Sequence, residues 1–363
     1  MSGNGDYNIR VNNFDIIRLF AASQVMLFNH YARFFDCKWI MNDIMSSLAG
    51  VPIFFFISGF LISMSFENNG NILQYAKNRV LRIFPAWWVC MFAAILSVFV
   101  SGYDVDVLGN LKQFIFWVFT EFSYPVYNPD FMREYGVGVL NGSLWTVPVE
   151  LEFYVLLPLI YCLLNVSKSR AVLPFILLVG LYYSNVLFIR AVWGEQPDFH
   201  TAGVCYKLYR VMCYPYLWMF MTGVLFQLNS DFLIKKLAGK FFILLPVYLS
   251  LKLIVLYSGV SAACQQMFFN LPLYLLLGAT ILSAAFSMPK LSSKLLRGND
   301  ISYGIYIYHM PVANFVLYKF GASFETMLVS ATLCVLFAFA SWKFIEYPAL
   351  KLKKHQFFNR KVC

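Results

Sequence analysis

The sequence predicts an all-α integral membrane protein, a bundle of about ten transmembrane helices with both termini cytoplasmic. Three observations lead there. The 363 residues are 60% hydrophobic and only 13% charged, and a soluble domain of this length could not hide that much apolar surface. Apolar runs of about 20 residues, the length that crosses a bilayer as a helix, recur along the chain. Most Lys and Arg residues fall in alternate loops, the pattern of cytoplasmic loops.

The runs follow in order. The N-terminal MSGNGDYNIRVNNFD is polar and has no cleavable signal pattern, so the first span, 14–34, is expected to remain. The second, 44–66, contains 51-VPIFFFISGFLIS-63. The third, 83–101, starts after R-x-x-R, with Pro85 and the Trp87–Trp88 pair suiting a helix start and an interfacial anchor. Spans are then expected at 144–165, 171–192, 206–228, 240–258, 266–287, 302–320 and 326–347. The short loops imply one membrane domain over 1–363 with no soluble domain.

An extra segment, 107-VLGNLKQFIFWVFTEF-122, could span, lie at the interface or re-enter. Charge arbitrates. If it does not cross, one side collects Arg10, Lys77, Arg79, Arg82, Lys168, Arg170, Lys235, Lys236, Lys240, Lys290, Lys294, Arg297 and the tail Lys351, Lys353, Lys354, Arg360 and Lys361. Opposite loops such as 194-GEQPDFHTAG-203 and 321-GASFE-325 carry acids and no Lys or Arg. If it crosses, the middle basic loops change sides. The segment is therefore assigned as interfacial or re-entrant. The net charge of +10 then belongs to membrane topology, and no nucleic-acid partner is expected. The eight cysteines are scattered without metal-ligand or disulfide spacing, so no metal is expected. The oligomeric state is not readable from the residues.

Ionisable residues inside spans are costly and are usually paired or functional. Asp15 and Arg18 are one turn apart on one face. His30 lies 12 residues after Arg18, roughly 18 Å further across at about 1.5 Å per residue. It is either a packed histidine or a proton carrier. Arg79 and Arg82 project together, and two guanidinium forks suit a phosphate. Glu150 and Glu152 lie in 142-GSLWTVPVELEFYVLLPLI-160, where Pro148 is expected to break the helical ladder. Glu150 is expected at a depth comparable to His30, where a carboxylate could orient the imidazole. His309, beside Tyr303, Tyr306 and Tyr308, reads as a hydrogen-bonded structural group.

These segments together resemble the membrane acyltransferase 3 family. The resemblance rests on 14-FDIIRLFAASQVMLFNH-30, 51-VPIFFFISGFLIS-63, 79-RVLRIFPAWW-88, 143-SLWTVPVELEFY-154, 302-SYGIYIYHMPV-312 and 344-FIEYP-348, in that order over nearly the whole chain. The SLWT-P-E variant is similar to the branch that O-acetylates bacterial surface polysaccharides. The resemblance implies a multi-pass enzyme of the inner (plasma) membrane with no bound cofactor. It implies acetyl-CoA as acyl donor, associated with Arg18, Arg79 and Arg82. The acceptor would be a glycan or lipid-linked sugar. His30 would be the base, with Glu150 in support. Trp145 or Tyr154 would be donors to an oxyanion, and Asp15, Asn29, Ser143, Glu152, Tyr303 and His309 supporting or substrate-binding residues.

One departure stands out. The family spacing places ten residues between the arginine and the histidine, and this chain has eleven, so the expected position holds Asn29. Either a local bulge realigns His30, or Asn29 takes that place. The rival to an enzyme is a multi-span transporter of glycans or small metabolites, which charged residues and broken helices would also suit. No clear internal repeat supports it.

Overall fold

The computed structural model describes residues 12–37, 42–69, 71–164, 170–194, 203–288 and 290–352. Among the described residues all regular structure is helical, with no strand. The main helices are α1 (14–34), α2 (Gly50–Asn69), α3 (Ile72–Val100), α4 (Leu111–Ser123), α5 (Thr146–Leu164), α6 (Val172–Trp193), α7 (Leu217–Leu228), α8 (Phe241–Tyr257), α9 (Asn270–Ser287), α10 (Ser302–Phe320) and α11 (Phe324–Ser341).

Among the described residues six helical stretches are long and apolar enough to cross a membrane: Asp43–Glu67, Ile72–Val100, Gly142–Leu164, Val172–Trp193, Ala262–Ser287 and Phe324–Lys351. Counting each of two bent pairs as one broken span, Val204–Arg210 with Tyr214–Leu228 and Ser230–Leu237 with Phe241–Tyr257, raises the number to at most eight. The chain is therefore a multi-pass membrane protein. The expected spans 14–34 and 302–320 are also helices, but they are not among these candidates. They carry Asp15, Arg18, His30 and His309, and thirteen of the 19 residues of α10 are buried. A helix enclosed by protein need not present an apolar face to lipid. Arg10, Lys168, His200, Lys353, Lys354, His355, Arg360 and Lys361 lie outside the described residues, as do both chain ends.

Helix α4 has 13 residues, about 20 Å at 1.5 Å per residue. That is too short for a hydrocarbon core of about 30 Å. Ile115, Phe116 and Phe119 are exposed while Trp117, Thr120 and Glu121 are buried. It is held by Trp87 and Trp88 of α3, whose indole N–H groups donate to the Glu121 and Phe122 carbonyls.

The chain forms two compact units. The first comprises residues 1–24, 40–68 and 149–298. Phe14 packs there between Phe60 and Phe286, with ring centroids 5.2 and 6.1 Å away. Helices α2 and α7 touch backbone to backbone through Gly59 and Gly223. A Cβ on Gly59 would lie 2.1 Å from the Phe220 oxygen, and one on Gly223 would lie 2.2 Å from the Phe56 oxygen. Small residues allow this approach between membrane helices. Gly223→Leu is expected to lower thermal stability in detergent by at least the ~1–3 kcal/mol of an overpacked core, because backbone cannot step aside. Gly180→Leu, at a position with nothing within 4 Å, is the control and should leave the melting temperature unchanged.

The second unit comprises residues 25–39, 69–148 and 299–363, with α10 its most enclosed helix. Pro311 lacks an N–H, which leaves the Ile307 carbonyl without its helical donor. Asn141 Nδ2 donates to that oxygen at 2.7 Å, and Cys90 Sγ lies 3.3 Å from it. Asn314 holds the preceding loop. Its Oδ1 accepts from Val137 N, and its Nδ2 donates to the Val139 and Leu140 carbonyls. Gly136 adopts φ +58° against Asn314, where a Cβ would meet Oδ1 at 2.3 Å. The loop is thus latched to α10 by backbone groups that would otherwise be unsatisfied.

Candidate active site

In α1 the α-helix Phe14–Gln24 gives way to a π-helix, Val25–Tyr31, before α-helix resumes at Ala32–Phe34. A turn closed by i→i+5 bonds holds one residue more than an α turn. Asn29 and His30 both lie within this π-helical segment. Asn29 lies on the exposed side and His30 is half-buried.

His30 does not stand alone. Its Nδ1 lies 2.7 Å from Nε2 of His309 on α10. The two ring planes are near parallel, 16° apart, with centroids 4.9 Å apart, and Phe34 stacks on His30 at 5.3 Å. His309 is fully buried, and its Nδ1 lies 3.2 Å from the Ile305 carbonyl one turn back. Tyr31, the next residue in α1, donates its hydroxyl to the His309 carbonyl at 2.9 Å and accepts from Ser330 of α11 at 2.9 Å. The pair is therefore held from three helices. Among the described residues no carboxylate hydrogen-bonds either ring of the pair.

Glu150 lies in the first unit and has its own partners there. Its Oε1 accepts from Ser58 at 2.8 Å and from the Tyr154 hydroxyl. Pro148 sits in the first turn of α5, where its missing N–H costs no helical bond. The expected break at that residue is therefore absent, and Pro158 is the proline within the helix. Glu152 accepts the Cys213 N–H at 2.8 Å. That satisfies the chain where Val204–Arg210 bends by 50° into the next helix. Arg18 pairs with Asp15 at 3.4 Å, as the spacing predicts.

In the second unit Ser143 is buried and donates to Asn141, while Tyr306 donates to its carbonyl at 2.9 Å. The second of these contacts fastens the loop to α10. Trp145 is half-buried beside them in sequence, and Tyr303 donates to the Ile83 carbonyl on α3. Arg82 pairs with Asp300 at 2.5 Å, and Arg79 places its guanidinium 5.7 Å from the Tyr75 ring centroid. Sequence reading passed over Asp300. Its signal is the cap pattern 299-NDIS-302 before a helix, and its Oδ1 accepts from the Ser302 N–H and hydroxyl.

A family model described as an acyltransferase domain matches residues 11–345. Nodulation protein 10 of Rhizobium leguminosarum bv. viciae is 33% identical, with 94% of each chain covered. The O-acetyl transferase of Shigella phage Sf6 is 25% identical over 92% of this chain and 95% of that one. O-acetyltransferase OatA of Staphylococcus aureus is 23% identical over 93% of this chain, which spans 57% of OatA. No solved structure matches.

Proposed function

The chain belongs to this acyltransferase family and is an O-acyltransferase, and on that basis we propose that it moves an acetyl group from acetyl-CoA to a hydroxyl of a cell-surface polysaccharide or its lipid-linked precursor. The observation that carries the reading is the His30–His309 pair, an imidazole held by hydrogen bonding within a polar helix of a membrane protein. Names of the phage and staphylococcal relatives support the acetyl group. The alternation of basic loops supports ten spans in the inner membrane with both termini, and the donor, on the cytoplasmic side. Family membership decides between an enzyme and a transporter.

In this reading His30 removes the acceptor hydroxyl proton as the oxygen attacks the thioester carbonyl carbon. The tetrahedral oxyanion needs a hydrogen-bond donor, and within the second unit Trp145 is the candidate. Collapse breaks the C–S bond, and the thiolate takes the proton from His30. The products are an O-acetyl ester and free CoA thiol. Arg79 and Arg82 receive the phosphates of the donor.

The test is a mass spectrum of envelope glycans from cells with and without the gene, fed isotopically labelled acetate. The expected result is labelled acetyl on a sugar only where the gene is present. A glycan unchanged in mass but altered in location would remove the proposal. Arg79→Ala is expected to raise KM for acetyl-CoA about tenfold, the scale of one lost charge-assisted hydrogen bond, with kcat little changed. Initial rates against donor concentration check it.

A further inference from the structure

We infer that His309 is a positioning residue that selects the tautomer of His30, leaving Nε2 of His30 as the proton-accepting atom. The inference rests on the reading of His30 as the base. It comes from a chain of hydrogen bonds, each of which has one possible direction. The Ile305 carbonyl can only accept, so His309 Nδ1, 3.2 Å away, carries a hydrogen. A neutral imidazole with a hydrogen on Nδ1 has a lone pair on Nε2. Neutrality is the form a fully buried ring favours, and His309 has no exposed surface. The 2.7 Å contact between the rings is then donated by His30 Nδ1–H to His309 Nε2. His30 Nε2 keeps its lone pair, and among the described residues no hydrogen bond engages it.

The surrounding groups fix His309 rather than compete for it. Tyr31 holds its carbonyl, and Ser330 holds Tyr31. Cys334 Sγ lies 3.6 Å from the same Ile305 oxygen, and Tyr306 meets the His309 ring edge-on at 6.0 Å. Arg33, with its guanidinium 5.5 Å from the Phe34 ring centroid, is the charged neighbour of His30. As His30 takes the acceptor's proton on Nε2, its Nδ1–H bond to His309 strengthens and shares the new charge. His309 thus does by a neutral ring what a carboxylate does in an acid–histidine–nucleophile triad.

The test uses the full chain in nanodiscs with 15N-labelled histidine. The wild-type protein is expected to show His30 with Nδ1 protonated and Nε2 bare, assigned by loss of its signals in His30→Ala. His309→Gln keeps an acceptor oxygen near the Nε2 position and is expected to hold kcat within about tenfold. His309→Leu keeps bulk without an acceptor, and is expected to lose ~10²-fold or more in kcat with KM for the donor unchanged, as a misplaced tautomer does in such triads. A wild-type His30 carrying its hydrogen on Nε2 overturns the inference, even if both variants misfold. So does a fully active His309→Leu beside an inactive His30→Ala, which leaves the base assignment standing. A fully active His30→Ala removes the base assignment itself.

Discussion

His30→Ala is expected to lower acetyl transfer by about 10²–10⁴-fold, the contribution of a positioned general base. The change also removes a partner from the buried His309 Nε2. An unpaired buried acceptor costs about 1–3 kcal/mol, so some loss of thermal stability should accompany the loss of activity. His30→Gln separates the two effects, since its amide N–H can still reach His309 but an amide cannot take up a proton at neutral pH. Both variants should therefore be inactive, and the glutamine form should melt closer to wild type. Purified protein in detergent, assayed with acetyl-CoA and glycan, gives the rates, and a thermal melt gives the stability. Asn29→Ala, on the exposed side of the same helix, should retain activity. Loss in Asn29→Ala with none in His30→Ala would hand the role to Asn29.

The second large effect is expected at the arginine pair. Asp300→Ala removes the carboxylate that Arg82 meets at 2.5 Å, with the two side chains 20% and 10% exposed. Breaking a mostly buried pair from one side costs about 3–5 kcal/mol. The Ser302 N–H and hydroxyl also lose their acceptor at the start of α10, the helix that carries His309. A lower melting temperature and a weaker enzyme should follow together. Arg82→Gln combined with Asp300→Asn distinguishes structure from donor binding. If Arg82 serves only the ion pair, the double variant recovers both stability and KM for acetyl-CoA. If Arg82 also receives the donor's phosphates, stability recovers and KM stays raised. The expectation is the second outcome, because Arg79 and Arg82 lie three residues apart on one helix and two guanidinium forks together suit a phosphate.

Much of this was legible in the residues. The apolar runs placed α2, α5, α6 and α9 closely, because lipid demands about 20 apolar residues whatever the neighbours are. Helix α3 starts at Ile72, well before the expected 83, so Arg79, Arg82 and Pro85 lie inside it and not at its start, because polar residues outside the apolar run continue the helix. Segment 107–122 read as something other than a span, and the 13-residue α4 agrees. Asp15 with Arg18 was readable because both lie on one helix, three residues apart. Pro148 was misread because its effect depends on distance from the helix start. The loop 136–146 folds as a latch on α10, so α5 begins at Thr146 and the proline falls in its first turn.

Amino-acid sequence by itself determined the helical membrane class, the family motifs and the one-residue excess before His30. Those are local properties, set by hydropathy, spacing and residue type along one strand of chain. Only the tertiary structure decided that residues 25–31 around His30 are π-helical and that the partner of His30 is His309, 279 positions away. It alone joined Arg82 to Asp300 across 218 positions. Such pairings depend on which helices pack together and at what height. That is settled by the burial of whole faces, to which any single polar residue contributes little.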